Sequence, residues 1–133
     1  PHLLAGPSIL RALSPHHAIA FMADRPFVAF IALGVGALRA LRSIVEAAAD
    51  ANCPVTVCGE MGGKPLETLA LIGLGYRAFS MSAASIGPVK AMLRALDVGK
   101  LTERIDWMLA SGEGAASLRP QLAAFAAEFK VPV

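Results

Sequence analysis

The chain has 133 residues, and 12 Lys+Arg against 10 Asp+Glu leave a formal net charge of +2, too small for binding nucleic acid or another polyanion through bulk charge. Hydrophobic residues make up 56% and charged residues 17%, against about 25% charged in an average soluble domain. That balance excludes disorder and requires a large buried core.

Residues 1–36 sustain no period and are interrupted by Pro1, Pro7, Pro15 and Pro26. His2, His16 and His17 fall in this segment and read as solvated or capping groups rather than metal ligands. The apolar run from Pro26 to Leu38 is shorter than the ~20 residues that span a bilayer, and Asp24 and Arg25 stand just before it. A buried strand is the better reading, with no membrane insertion. No secretory signal pattern opens the chain, so the expected compartment is the cytoplasm.

From Ala37 a helical pattern emerges. Leu38, Leu41, Val45 and Ala48 recur on one face while Arg39, Arg42, Glu46 and Asp50 take others, which predicts an amphipathic helix ending near Asn52 and Pro54. Its Arg39 and Arg42 read as a solvated face, with Arg42 and Glu46 paired at i, i+4. The run Val55-Thr56-Val57-Cys58 predicts a buried strand. Pro65 suits a first helical turn and Glu67 the positive helix end, giving a helix from Leu66 to Ile72 stopped by Gly73 and Gly75. A second strand is expected at Ala78 to Met81, then a helix capped by Ser85, running through Leu96 and ended by Asp97 and Gly99. Strands alternating with helices mark a parallel α/β sheet. The tail is helical: Leu101, Ile105, Met108 and Leu109 share one stripe, Ser111 and Gly112 break it, and Leu118, Leu122, Phe125, Ala126 and Phe129 share another.

Cys58-Gly59-Glu60-Met61-Gly62-Gly63-Lys64-Pro65 is the most informative stretch. A phosphate loop would need glycine at position 58 and Ser or Thr at position 65; Cys58 and Pro65 stand there. A dinucleotide fingerprint is missing too, because Gly73-Leu74-Gly75 follows a helix rather than a strand. What remains is a thiol, a glycine and a carboxylate at the carboxyl end of a strand, where α/β folds place reacting groups. An ordinary thiol has a pKa of about 8.5, so it is mostly protonated at neutral pH and can donate its proton to a carbanion-like carbon. Gly59 leaves room for a substrate, and Glu60 can hydrogen-bond to loop neighbours. Residue type alone favours reading Cys58 as a small buried hydrophobe. Cys53 and Cys58 lack zinc-ligand spacing, and Pro54 and the strand hold them apart. Ser80 and Ser82 share a face of the second strand, opposite Phe79 and Met81, and either line a site or satisfy the strand end.

Four ordered motifs, Val57 to Glu67, Leu71-Ile72-Gly73-Leu74-Gly75, Phe79-Ser80-Met81-Ser82 and Ser85-Ile86-Gly87-Pro88-Val89-Lys90, strongly resemble the carboxyl end of phosphoenolpyruvate-protein phosphotransferase. This family is enzyme I of the bacterial phosphotransferase system, and the wording is most similar to its nitrogen-regulatory form. The resemblance runs from about Leu38 to the C-terminus. It implies an α/β fold, the C-terminal portion of a (β/α)8 barrel using phosphoenolpyruvate (PEP), with an appended helical tail. Residues 1–36 then form a divergent leading segment, 37–99 the last βα units of the barrel and 100–133 the helical tail. It implies PEP, pyruvate and a histidine phosphocarrier as partners of the complete enzyme, Mg²⁺ as its cofactor, and a homodimer or other self-association. It also implies that Cys58 protonates enolpyruvate, which reverses the reading from residue type.

Asp24-Arg25 resembles a family pair, but Ser14 and Pro15 stand where the family carries Asn-Asp. The phosphohistidine domain and the metal ligands are not found in this chain, which is far short of the ~250 residues of a complete barrel. The expectation is therefore a fragment, from a truncated or frame-shifted reading frame, inactive alone. The alternatives are a non-catalytic interaction module that keeps the family's dimerising surface, and a remnant without function.

Overall fold

The computed structural model describes residues 33–111 and 117–133; His2, Ser14, Pro15, His16, His17, Asp24, Arg25 and most of the apolar run from Pro26 lie outside them. The elements are α1 (Val35–Asp50), β1 (Thr56–Cys58), α2 (Glu60–Gly63), α3 (Pro65–Leu74), β2 (Ala78–Ser80), α4 (Ala83–Ala95), α5 (Val98–Ser111) and α6 (Arg119–Glu128). The described part is mostly helical with one small parallel sheet, in which Thr56 pairs with Ala78, Val57 with Phe79 and Cys58 with Ser80. Among the described residues no helix is long and apolar enough to cross a membrane.

Helix α3 is the centre of the packing. Every residue from Glu67 to Leu74 is buried, as expected of a helix that is apolar nearly all round and must be covered on every side. Cover comes from the predicted stripes of the other helices: Leu38, Leu41 and Ala48 of α1, Leu101, Ile105 and Met108 of α5, and Leu122, Phe125 and Ala126 of α6 are all buried in one core. The two tail helices thus share the core of the βα units. Pro65 occupies the first turn of α3, where its missing N–H costs nothing. Its buried Glu67 accepts a hydrogen bond from the guanidinium of Arg119 at the start of α6.

Four expectations need correction. Gly73 does not stop α3. The helix runs through it to Leu74, and Gly75, with φ 116°, forms the left-handed cap. A Cβ on Gly73 would lie 2.6 Å from Ile105 Cγ1 and 3.1 Å from Leu101 Cγ, so this glycine sets how closely α5 approaches. Arg39 and Arg42 are not merely a solvated face. Arg39 donates to the Leu109 carbonyl at 2.6 Å and Arg42 to Asp106 at 2.7 Å, tying α1 to α5, while the expected Arg42–Glu46 pair is longer at 3.9 Å. Helix α4 starts at Ala83, with Ser82 rather than Ser85 at the N-cap position, and it accommodates Pro88 in its interior. The strand Thr56–Cys58 is not buried throughout, since only Val57 is.

Tyr76, 1% exposed, closes the sheet side of the core, and its hydroxyl donates to the Leu41 carbonyl at 2.9 Å. Burial pushes its pKa up to about 12 from the ordinary 10.0. Ionisation is thus easier in the unfolded chain. The neutral phenol's contribution is complete below pH 10 and is lost as pH rises toward 12, amounting to about 2–3 kcal/mol for a shift of this size. Chemical denaturation at stepped pH should show that alkaline loss, and Tyr76→Phe should remove it.

Gly73→Ala should lower stability by about 1–3 kcal/mol, the usual range for overpacking a filled core, even though alanine is the better helix former. A urea midpoint equal to or above that of the parent would contradict the close α3–α5 contact.

Candidate functional site

Both strands run in the same direction, so their carboxyl ends open onto one edge. There β1 turns through Gly59 into α2, and β2 turns through Met81 and Ser82 into α4. Alternation along the strands sorts the side chains. Val57 is buried and Phe79 half-buried against the core, while Cys58, Ala78 and Ser80 are exposed. Cys58 and Ser80 are register partners, which places them as neighbours on the open face. The reading of Cys58 as a buried hydrophobe does not survive this placement. Cys53 is half-buried, with its sulfur 3.9 Å from the Pro54 carbonyl oxygen, and both thiols are free.

Gly59 has φ 95° and ψ −169°, a region in which only glycine is at ease. Nothing lies within 4 Å of where its Cβ would be, so the backbone turns sharply while leaving open space after the thiol. Glu60 begins α2 with its side chain 85% exposed and 3.7 Å from Lys64, an ion pair that adds little in water. Ser82 is exposed, and its hydroxyl lies 3.1 Å from that of Ser85. The edge therefore brings Cys58, Gly59 and Ser80 together, while Glu60 and Ser82 engage their own local partners.

Three supporting residues were not singled out from the sequence. Thr68, fully buried in α3, has its hydroxyl 2.9 Å from the carbonyls of both Gly62 and Lys64, anchoring α2 to the central helix. The available signal was a lone hydroxyl on an otherwise apolar helix one turn after Pro65. Gly62 lies beneath the strand ends, where a Cβ would sit 3.5 Å from the Val57 and Ser80 carbonyls. Gly63 abuts α4, and a Cβ there would meet Ser85 Oγ at 2.7 Å. The glycines thus let a helical turn lie against the sheet end.

Among the described residues no group of three or more His, Cys, Asp or Glu side chains is placed to hold a metal ion. With Glu60 facing solvent, these residues do not make up the near-octahedral oxygen set that Mg²⁺ demands.

Residues 18–98 match the family described as PEP-utilising enzyme, PEP-binding domain, and the chain belongs to that family. The match takes in the segment around Asp24 and Arg25, earlier than the motifs alone reach, and closes at the start of α5. Among curated proteins, the phosphoenolpyruvate-dependent phosphotransferase system protein of Escherichia coli is 38% identical over 88 residues, covering 66% of this chain and 12% of its own length. The phosphoenolpyruvate-protein phosphotransferase of Haloferax volcanii is 42% identical over 71 residues, 51% of this chain and 13% of its own. That of Cupriavidus necator is 37% identical over 85 residues, 62% of this chain and 14% of its own. The chain therefore spans only a small part of the length of these relatives. No solved structure matches it significantly.

Gly59→Ala should cost about 1–3 kcal/mol through backbone strain alone, because there is space for the methyl group. Thermal melts of this variant should show the loss, and Gly36→Ala provides the contrast: it too has open space for a methyl, without a positive φ.

Proposed function

We propose that this chain is the C-terminal part of a PEP-protein phosphotransferase, forming the last βα units of its barrel, and that Cys58 is the proton donor to enolpyruvate. The observation carrying this reading is the exposed Cys58 thiol at the carboxyl end of a parallel strand, beside Ser80 and followed by the open turn at Gly59. Phosphoryl transfer from PEP to a protein histidine breaks the P–O bond and leaves the electron pair on the enolate oxygen. As the carbonyl re-forms, the methylene carbon takes the Cys58 proton, and the thiolate regains a proton from water. Gly59 admits the substrate, and Ser80 lines the pocket next to the thiol. Ser82 flanks the same edge beyond Ser80, and Glu60 is the thiol's neighbour in the turn after Gly59.

The histidine, the residues that bind PEP and the oxygen ligands for Mg²⁺ come, in this reading, from outside the described residues. Without them the described segment is inactive. A phosphocarrier protein receives the phosphoryl group from the complete cytoplasmic enzyme. Exposed Ile86 and Leu93 on α4, at 44% and 43%, supply apolar surface for the rest of the barrel or for a second subunit. Such surface also favours the alternative of a purely non-catalytic contact module.

The two readings separate in a complete enzyme carrying this segment. Cys58→Ala should slow pyruvate formation by about 10²–10⁴-fold, the usual contribution of a positioned acid. Phosphoryl exchange between histidine and phosphocarrier, which never touches the enolpyruvate carbon, should stay near normal. Cys53→Ala should alter neither step. If Cys58→Ala leaves both half-reactions intact, the contact-module reading stands; if it abolishes both in a folded protein, the proton-donor role is wrong.

A further inference from the structure

Between α5 and the last turn of α6 lies a cleft of about 460 Å³, remote in sequence from Cys58 and beyond the stretch that matches the family. Its lining is Lys100, Glu103, Arg104, Trp107, Phe125 and Phe129. The cleft is broadly open to solvent, so a guest would lie against its wall rather than be enclosed.

The lining has two parts. Phe125 and Phe129 form an aromatic floor, their centroids 4.7 Å apart and tilted by 43°. Over them stand two cations, Lys100 Nζ at 5.1 Å from the Phe129 centroid and Arg104 Cζ at 5.8 Å from that of Phe125. Ring quadrupoles hold cations in such positions. With the floor rings engaged in this way, Trp107, 62% exposed, is the aromatic surface left for a guest ring to stack on.

Charge then restricts the guest. Two cations and one carboxylate, Glu103, line the cleft, and Asp97 and Glu128 stand beside it as the cations' present partners, so an anionic guest must take the place of a carboxylate already there. Lys100 has its nearest carboxylate oxygen, on Asp97, at 3.9 Å, and Arg104 pairs with Glu128 at 3.1 Å. Exposed pairs of this kind are weak, so both cations can turn to an added anion. A dianion would meet Glu103 with excess charge.

We propose that this cleft is a binding site for a small aromatic carboxylate, its ring stacked on Trp107 and its carboxylate between Lys100 and Arg104. Trp107 is the chain's only tryptophan, so its emission reports occupancy directly. Titration of the intact chain with benzoate should give a saturable emission change with a Kd on the order of 1 mM, as fits a ligand of this size. Acetate, an anion without a ring, and benzyl alcohol, a ring without charge, should each bind at least about tenfold more weakly. Lys100→Gln and Arg104→Gln remove the charge while keeping the first two methylenes of each stem, and each should weaken benzoate by about three- to tenfold with an unchanged circular dichroism spectrum. The proposal is overturned by any of three results: no saturable response to benzoate, acetate binding as well as benzoate, or folded variants that bind like the parent. Emission that shifts with protein concentration alone would also overturn it, by showing that a second copy fills the cleft.

Discussion

Complete burial of α3 is the constraint on which the rest of the structure depends. A ten-residue helix carrying Leu66, Leu69, Leu71, Ile72 and Leu74 has no polar face to offer water, so α1, α5 and α6 must wrap it. The two polar side chains that α3 itself buries are both matched. Glu67 meets Arg119, and Thr68 meets the carbonyls of Gly62 and Lys64. Unmatched, each would carry the desolvation cost of a buried polar group, about 1–3 kcal/mol and more for the charge.

Through Thr68 the same helix reaches the strand ends. Its threonine holds α2, α2 lies against the strand carbonyls through Gly62, and the turn at Gly59 sets the point at which the chain leaves β1 beside the thiol. The position of Cys58 thus follows from a continuous line of contacts that begins in the core. Nothing in that line requires the cysteine itself. Its exposed side chain contributes little to folding.

The periodic signal was legible wherever one side of an element is buried and the other is not. The stripes of α1, α5 and α6 follow from it, whereas the first strand was legible from its β-branched run and the parallel pairing from the alternation of strands with helices. The candidate site was legible as a motif, because a thiol followed by a glycine at a strand end is a local pattern, and Cys58, Gly59 and Ser80 do share one edge. Elements shaped by a neighbour were not legible. The helical turn Glu60–Gly63 lies in a glycine-rich stretch that reads as a loop, and only its packing against the sheet and Thr68 makes it helical.

Residue order alone therefore determined the order of the longer elements, the core stripes and the placing of Cys58, Gly59 and Glu60 in succession at a strand end, because backbone periodicity and turn chemistry act over a few neighbouring residues. Tertiary structure decided three other things. It made Gly73 a helix contact rather than a stop, it turned Arg39 and Arg42 into ties to α5, and it brought the aromatic rings of α6 beneath the cations of α5. Each depends on residues from about 20 to 70 positions apart, and no local preference encodes that approach; the shared need to cover α3 brings them together.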